Sequence, residues 1–250
     1  MKVLTIDIET RPSLGYVWSL WDQNVNAVNG QLREVGEVFC FAAKWLDSKE
    51  VTFKSTYHDG KEAMLESAWE LLDEADVVVG FNSKSFDIKH LMREFVLQGW
   101  GPPSPHKDLD LLTVCKGRFK FLSNKLQHIS TQLEIGGKAQ HSGFMLWVDC
   151  MHDDPKAWAT MKRYNIQDIK LTEKLYKTLL PWIKNHPSIP LYDGYGENGH
   201  FCPNCGGKHL QKRGFAYTGV SKFQQYWCKT CGTWSKDGKR LATTMTRGSA

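Results

Sequence analysis

Apolar and β-branched residues over Lys2–Ile8 (KVLTIDI) predict a buried strand at the start of the chain. Residues 11–36 break that pattern with Pro12, Gly15, Asn24, Asn29 and Gly30, and predict a long loop carrying Tyr16, Trp18 and Trp21. Val38–Leu46 and Val51–Thr56 predict two more strands, joined by a polar turn. Met64, Leu65, Ala68, Trp69, Leu71 and Leu72 recur at helical spacing and predict a helix over 62–74. Asp76–Gly80 (DVVVG) predicts a short buried strand, and Asp87–Gly99 a helix that the following Gly-Pro-Pro stops. A strand is predicted over Leu109–Val114 and a helix over Ser123–Leu133, with Ser123 as its cap. The last helix starts at Asp154-Pro155, a good N-cap and first helical residue, and keeps its pattern until Pro181. Three strands followed by strands alternating with helices predict an α/β domain on a mixed sheet, over residues 1–185. Residues 186–200 are rich in Pro, Gly and polar side chains and read as a linker.

A chain of 250 residues, 41% hydrophobic, can bury one core plus a small appendage. No apolar run approaches the roughly 18 residues of a membrane span. The first apolar stretch contains Asp7 and is too short for a signal-peptide core, so a cytoplasmic protein is expected, in a host cytoplasm if viral. The net charge of +5 is unevenly spread. Residues 202–240 hold eight Lys and Arg against one acid, Asp237, a formal +7 that leaves −2 for the remainder. A basic module on a slightly acidic body predicts a polyanionic partner.

Cys40, Cys115 and Cys150 are scattered in or beside apolar stretches and read as buried thiols. Cys202-x-x-Cys205 and Cys228-x-x-Cys231 form two knuckles separated by 22 residues. Four soft thiolates so arranged suit one tetrahedral, structural Zn²⁺, and the glycine after each second cysteine lets the chain turn around it. FAYTG and KFQQYW between them read as hairpin strands, and the segment resembles a zinc ribbon over 201–240, followed by a tail over 241–250. Lys212 and Arg213 are its candidate substrate-binding residues; protein docking is the rival role.

Four acids carry the remaining chemistry. Asp7 and Glu9 lie two apart on the first strand and so share one face, an arrangement suited to a hard cation such as Mg²⁺. Asn82, Phe86 and Asp87 follow a buried strand and open a helix, where Asp87 could also be a plain cap. Tyr164 and Asp168 lie four apart on one helix face. Each set alone has an ordinary structural role. Together and in this order, Asp-x-Glu, Asn-x-x-x-Phe-Asp and Tyr-x-x-x-Asp resemble the DEDD 3′–5′ exonuclease superfamily, in its tyrosine-bearing subgroup. The resemblance covers residues 1–185 and is nearest to standalone proteins related to the proofreading domains of family B DNA polymerases.

That resemblance implies an RNase H-like fold, with Asp7, Glu9, Asp87 and Asp168 as ligands of two Mg²⁺ or Mn²⁺ ions. Tyr164 would orient or deprotonate the attacking water. The implied reaction is two-metal hydrolysis at a 3′ end with release of nucleoside monophosphates, on DNA more than RNA. Single-stranded DNA 3′ ends are the implied partner, with a polymerase or replication protein beside them. Asn82 and Phe86 are the substrate-binding positions of the second motif. Trp18 could stack on unpaired bases, although packing on the body is the plainer role for Tyr16, Trp18 and Trp21. A non-catalytic recruitment module of the same fold is the alternative, but a pure binder has no use for four converging acids. A transposase-like enzyme is opposed by the second and third motifs. His128, His141 and His152 show no partner pattern.

Overall fold

A computed structural model describes all residues except 20, 22–24, 26, 138–142, 193–198 and 247–250. Asn24, His141, most of the second half of the expected linker and the end of the expected tail lie outside the described residues. The chain divides into two compact units, residues 2–175 and residues 176–250 with Met1.

In the first unit, β1 (Val3–Thr10) is followed by two short strands, β2 (Leu14–Gly15) and β3 (Leu32–Glu34). Next come β4 (Val38–Trp45), β5 (Thr52–Ser55), α1 (Thr56–Asp59), α2 (Lys61–Glu74), β6 (Val77–Gly80), α3 (Asp87–Leu97) and β7 (Lys107–Asp110). Helices α4 (Leu111–Arg118), α5 (Leu126–Gln132), α6 (Met145–Met151) and α7 (Pro155–Leu179) complete it. Among the described residues, five strands form a mixed sheet in the order β5-β4-β1-β6-β7. Central β1 runs antiparallel to β4 and parallel to β6, with Ile6 opposite Ala43 and Leu4 opposite Val78. A strand covered on both faces reads as a continuous apolar run, which is why alternation is faint in KVLTIDI.

Leu4, Ile6 and Ile8 of β1 pack with Met64, Leu65 and Leu72 of α2 and with Leu91 and Phe95 of α3 in the main core. A second cluster gathers Phe39 and Cys40 of β4 with Leu146 and Cys150 of α6 and Trp158, Met161 and Tyr164 of α7. Strand alternation therefore turns Asp7 and Glu9 away from the α2–α3 side. The buried Lys44 of β4 and Glu173 of α7 form an ion pair that ties the long helix to the sheet. A chain of charges secures the far end of the early loop. Arg11 pairs with Glu34 and Glu37 at 3.2 Å each, Lys61 bridges Glu37 and the buried Glu94, and Arg93 pairs with Glu94 while donating to Gly36 O at 2.7 Å.

Three sequence expectations are corrected. The run Leu109–Val114 is not a strand: β7 stops at Asp110, whose carboxylate accepts from Leu112 N (2.9 Å) and caps α4 instead. Ser123 does not cap α5, which begins three residues later behind Lys125. Nor do the early aromatics pack beneath their loop, since Tyr16, Trp18 and Trp21 are 67%, 94% and 81% exposed.

The second unit opens on the last turn of α7 and contains a 3₁₀ turn (Leu180–Trp182) and α8 (Ile189–Tyr192). Its sheet has the order β10-β9-β8, formed by β8 (Leu210–Tyr217), β9 (Ser221–Cys228) and β10 (Trp234–Thr243). Asn204 Nδ2 donates to the carbonyls of Leu180 (2.8 Å) and Ile183 (3.1 Å), and Tyr176 Oη meets His186 Nε2 at 2.7 Å, so residues 176–186 pack into this unit. Among the described residues, no helix is long and apolar enough to cross a membrane.

Candidate active site

The acids meet where β1 outruns its parallel neighbour. β6 pairs with β1 only as far as Thr5↔Val79 and ends at Gly80. Beyond that point the β1 backbone needs another partner, and the Asp87 carboxylate supplies it, accepting from Ile8 N at 2.9 Å. The chain reaches Asp87 through a tight turn. A Cβ on Gly80 would lie 2.4 Å from Ser83 Cβ, so the fold-back needs glycine there. Asn82 sits in the left-handed region (φ 67°), which asparagine adopts more readily than most residues. Its carbonyl accepts from Ser85 N and Phe86 N at 3.1 Å, while its own N–H donates to Asp110 Oδ1 at 2.9 Å. Phe86 remains 37% exposed against His90, with ring centroids 4.5 Å apart.

On the other flank, α7 brings Tyr164, Asn165 and Asp168 to the same strand. Tyr164 hydrogen-bonds Asp168 one turn along the helix. Asn165 is fully buried and donates from Nδ2 to Asp7 Oδ2 (2.7 Å) and Asp7 O (3.3 Å). From α6, Trp147 Nε1 donates to Glu9 Oε2 at 3.1 Å, and its ring meets Tyr164 edge-on with centroids 6.0 Å apart. Three of the four acids are thus held by different elements: Asp7 by α7, Glu9 by α6, Asp87 by β1.

The electrostatics reflect that crowding. Burial raises the Asp87 carboxyl to about 7; the hydrogen bond from Ile8 opposes the rise and the nearby Asp110 charge adds to it. Burial pushes the Tyr164 phenol well above its ordinary range, helped by the charges of Glu9, Asp168 and Asp7. Cys40, opposite Glu9 on β4, is raised by burial and then by Glu9, Cys150 and Asp7. The donors offered are all oxygens, the chemistry that Mg²⁺ and Mn²⁺ take. Among the described residues, only the four cysteines place three or more metal-ligating atoms within 4.8 Å of one another.

Three residues of this cluster carry no motif signal in sequence: Asn165, Trp147 and Asp110. Asn165 could have been flagged, because asparagine is a poor helix former and here sits inside a long helix. Trp18, in the loop between β2 and β3, stands outside the cluster.

The second unit gathers Cys202, Cys205, Cys228 and Cys231. Cys202 Sγ lies 3.5 Å from Cys231 Sγ, and Cys205 Sγ 3.7 Å from Cys228 Sγ. A tetrahedron with Zn–S bonds of 2.3 Å has edges of about 3.8 Å, so the thiols already stand at zinc spacing. All seven cysteines are free of disulfides. Lys212 and Arg213 fall on opposite faces of the three-stranded sheet. Lys212 pairs with Tyr226, whereas the Arg213 guanidinium lies 4.8 Å over the neighbouring Trp227 ring.

A family model described as the RNase_H superfamily matches residues 30–180, which is more than half of the chain. The match includes Asp87, Tyr164 and Asp168 and begins after Asp7 and Glu9. No curated protein matches the chain.

Proposed function

Because the chain belongs to the RNase H superfamily, we propose that it is a metal-dependent 3′–5′ exonuclease acting on single-stranded DNA ends in preference to RNA. The observation that carries this reading is the convergence of Asp7 and Glu9 of β1, Asp87 of α3 and the Tyr164–Asp168 pair of α7 on one strand end. A pure binding module gains nothing from four acids whose mutual repulsion it must bear.

Asp7, Glu9, Asp87 and Asp168 would hold two Mg²⁺ or Mn²⁺ ions, which would supply water activation and stabilise the leaving oxygen. The protein's part is positional. Asn165, Trp147 and the Ile8 amide fix the rotamers of Asp7, Glu9 and Asp87. The Tyr164 hydroxyl orients the attacking water. Phe86 offers an exposed ring to the terminal nucleotide. The product is a nucleoside monophosphate, and a proofreading role would require a polymerase on a separate chain. The thiol spacing supports one structural Zn²⁺ in the second unit.

The test is a 5′-labelled single strand of DNA, and a matching RNA, incubated with Mg²⁺ or Mn²⁺. A metal-dependent ladder shortening from the 3′ end, absent for Asp87→Ala, is the expected result. Cleavage by Asp87→Ala at near wild-type rate would sink the assignment.

A further inference from the structure

Both faces of the three-stranded sheet of the second unit carry aromatics and cations, with Lys222 Nζ 3.8 Å over the Phe215 ring on one of them, and the faces differ in where the acid lies. Alternation along β9 places Phe223, Gln225 and Trp227 on one face and Lys222, Gln224, Tyr226 and Cys228 on the other. Cross-strand partners share a face, so Trp234 and Gln211 join Trp227, and Arg240 and Ala216 join Phe223. The Arg213 guanidinium lies 4.8 Å over Trp227, and the Lys236 ammonium 4.4 Å over Phe223. Arg213, Lys236 and Arg240 are exposed, and Trp234 is 50% exposed. Asp237 is the sole acid among described residues 199–246, and it accepts from Tyr226 Oη at 3.2 Å on the opposite face. One face thus combines aromatic planes with three cations and no anion.

We infer that this face binds single-stranded nucleic acid, with bases against Trp227 and Trp234 and phosphates at Arg213, Lys236 and Arg240. Both halves of the ligand find their chemistry there: π-faces for bases of any sequence, and cations for a regularly charged backbone. An acidic peptide would use the cations and leave the aromatic column unmatched. Of the neighbouring pair Lys212 and Arg213, only Arg213 takes part. The inference deepens the exonuclease reading by giving the substrate strand a second contact area, and it rests on that reading for the choice of strand.

The test uses the full chain carrying Asp87→Asn, so that the strand stays intact, and fluorescein-labelled oligothymidylate followed by anisotropy. Two double variants remove equal charge from the two faces: Arg213→Ala/Lys236→Ala and Lys212→Ala/Lys222→Ala. The first should weaken binding about tenfold or more and reduce the slope of log K against log[salt] by about 1.4, at 0.7 per phosphate contact. The second should do neither. Trp234→Ala should weaken binding roughly 5- to 100-fold with the salt slope unchanged, as loss of a stacking partner does. Equal losses for the two doubles, or no loss for either, overturn the inference. So does competition by polyglutamate as effective as that by unlabelled oligothymidylate, which would give the face to an acidic protein. Zinc content and the thermal transition of each variant verify the fold. Binding through this face by a protein that never hydrolyses the strand would refute the exonuclease reading and leave this one standing.

Discussion

Asp87→Asn should stabilise the protein when Mg²⁺ and Mn²⁺ are withheld, and the gain should depend on pH. The side chain is 3% exposed, and burial lifts its carboxyl from an ordinary 3.8 to about 7. Below pH 3.8 folded and unfolded chains both keep the proton, and nothing is lost. Between 3.8 and about 7 the unfolded chain releases it while the folded chain holds it, so wild-type stability falls as pH rises. Above about 7 the loss is complete and constant. A difference of about three units corresponds to about 4 kcal/mol at pH 8, falling to about 2 kcal/mol at pH 5. Asparagine keeps an oxygen for the Ile8 amide and carries no charge to bury. At 2–4 °C per kcal/mol, the midpoint of the first unit should rise by roughly 8–16 °C at pH 8 and by about half that at pH 5. The assay is thermal unfolding followed by circular dichroism in Mg²⁺-free buffer, with zinc retained because strong chelators would also attack the cysteine site. Adding Mg²⁺ at a hundredfold over its dissociation constant should return about 2.7 kcal/mol to wild type and much less to the variant. Equal midpoints at pH 8 without metal, or a gap that ignores pH, would refute the reasoning.

Asn165→Ala removes the Nδ2 donor that holds Asp7 Oδ2 and should lower the apparent Mg²⁺ affinity or activity about 10- to 100-fold, read from Mg²⁺ titrations of exonuclease rate. Wild-type Mg²⁺ dependence in that variant would show that Asp7 needs no such support. Cys228→Ser should abolish stoichiometric zinc, measured by metal analysis of the purified chain, and melt the second unit. Lys44→Met takes the ammonium partner from the buried Glu173 carboxylate and should destabilise by up to about 3–5 kcal/mol in urea unfolding. Lys44→Met/Glu173→Leu should recover most of that, and failure of the double variant to recover would point to packing rather than charge.

What sequence reveals here is periodicity and spacing, and those reach only part of the site. The buried run over β1, the helical recurrence of α2 and the cap-and-proline start of α7 are strong local signals, and each element forms where its pattern lies. Tyr164 and Asp168 meet because four residues make one helical turn. The supporting donors are illegible for the same reason in reverse. Trp147 reaches Glu9 across 138 residues, and Asn165 reaches Asp7 across 158, so no local spacing encodes either contact. Leu109–Val114 misleads because a short apolar run does not distinguish strand from helix, and the cap at Asp110 decides it. The exposed Trp18 and Trp21 misled because large aromatics are buried more often than not.

The bond from Ile8 to Asp87 makes one backbone amide a spectroscopic gauge of the whole cluster. An ionised carboxylate accepts more strongly than a protonated one, so the proton on that nitrogen should be deshielded whenever Asp87 is charged. Its resonance would move downfield as pH rises through about 7 and would shift again when a cation draws on the same oxygens. A single cross-peak of the ¹⁵N-labelled chain, in a strand otherwise occupied with holding the sheet together, would then report charge at the site with no substrate or turnover.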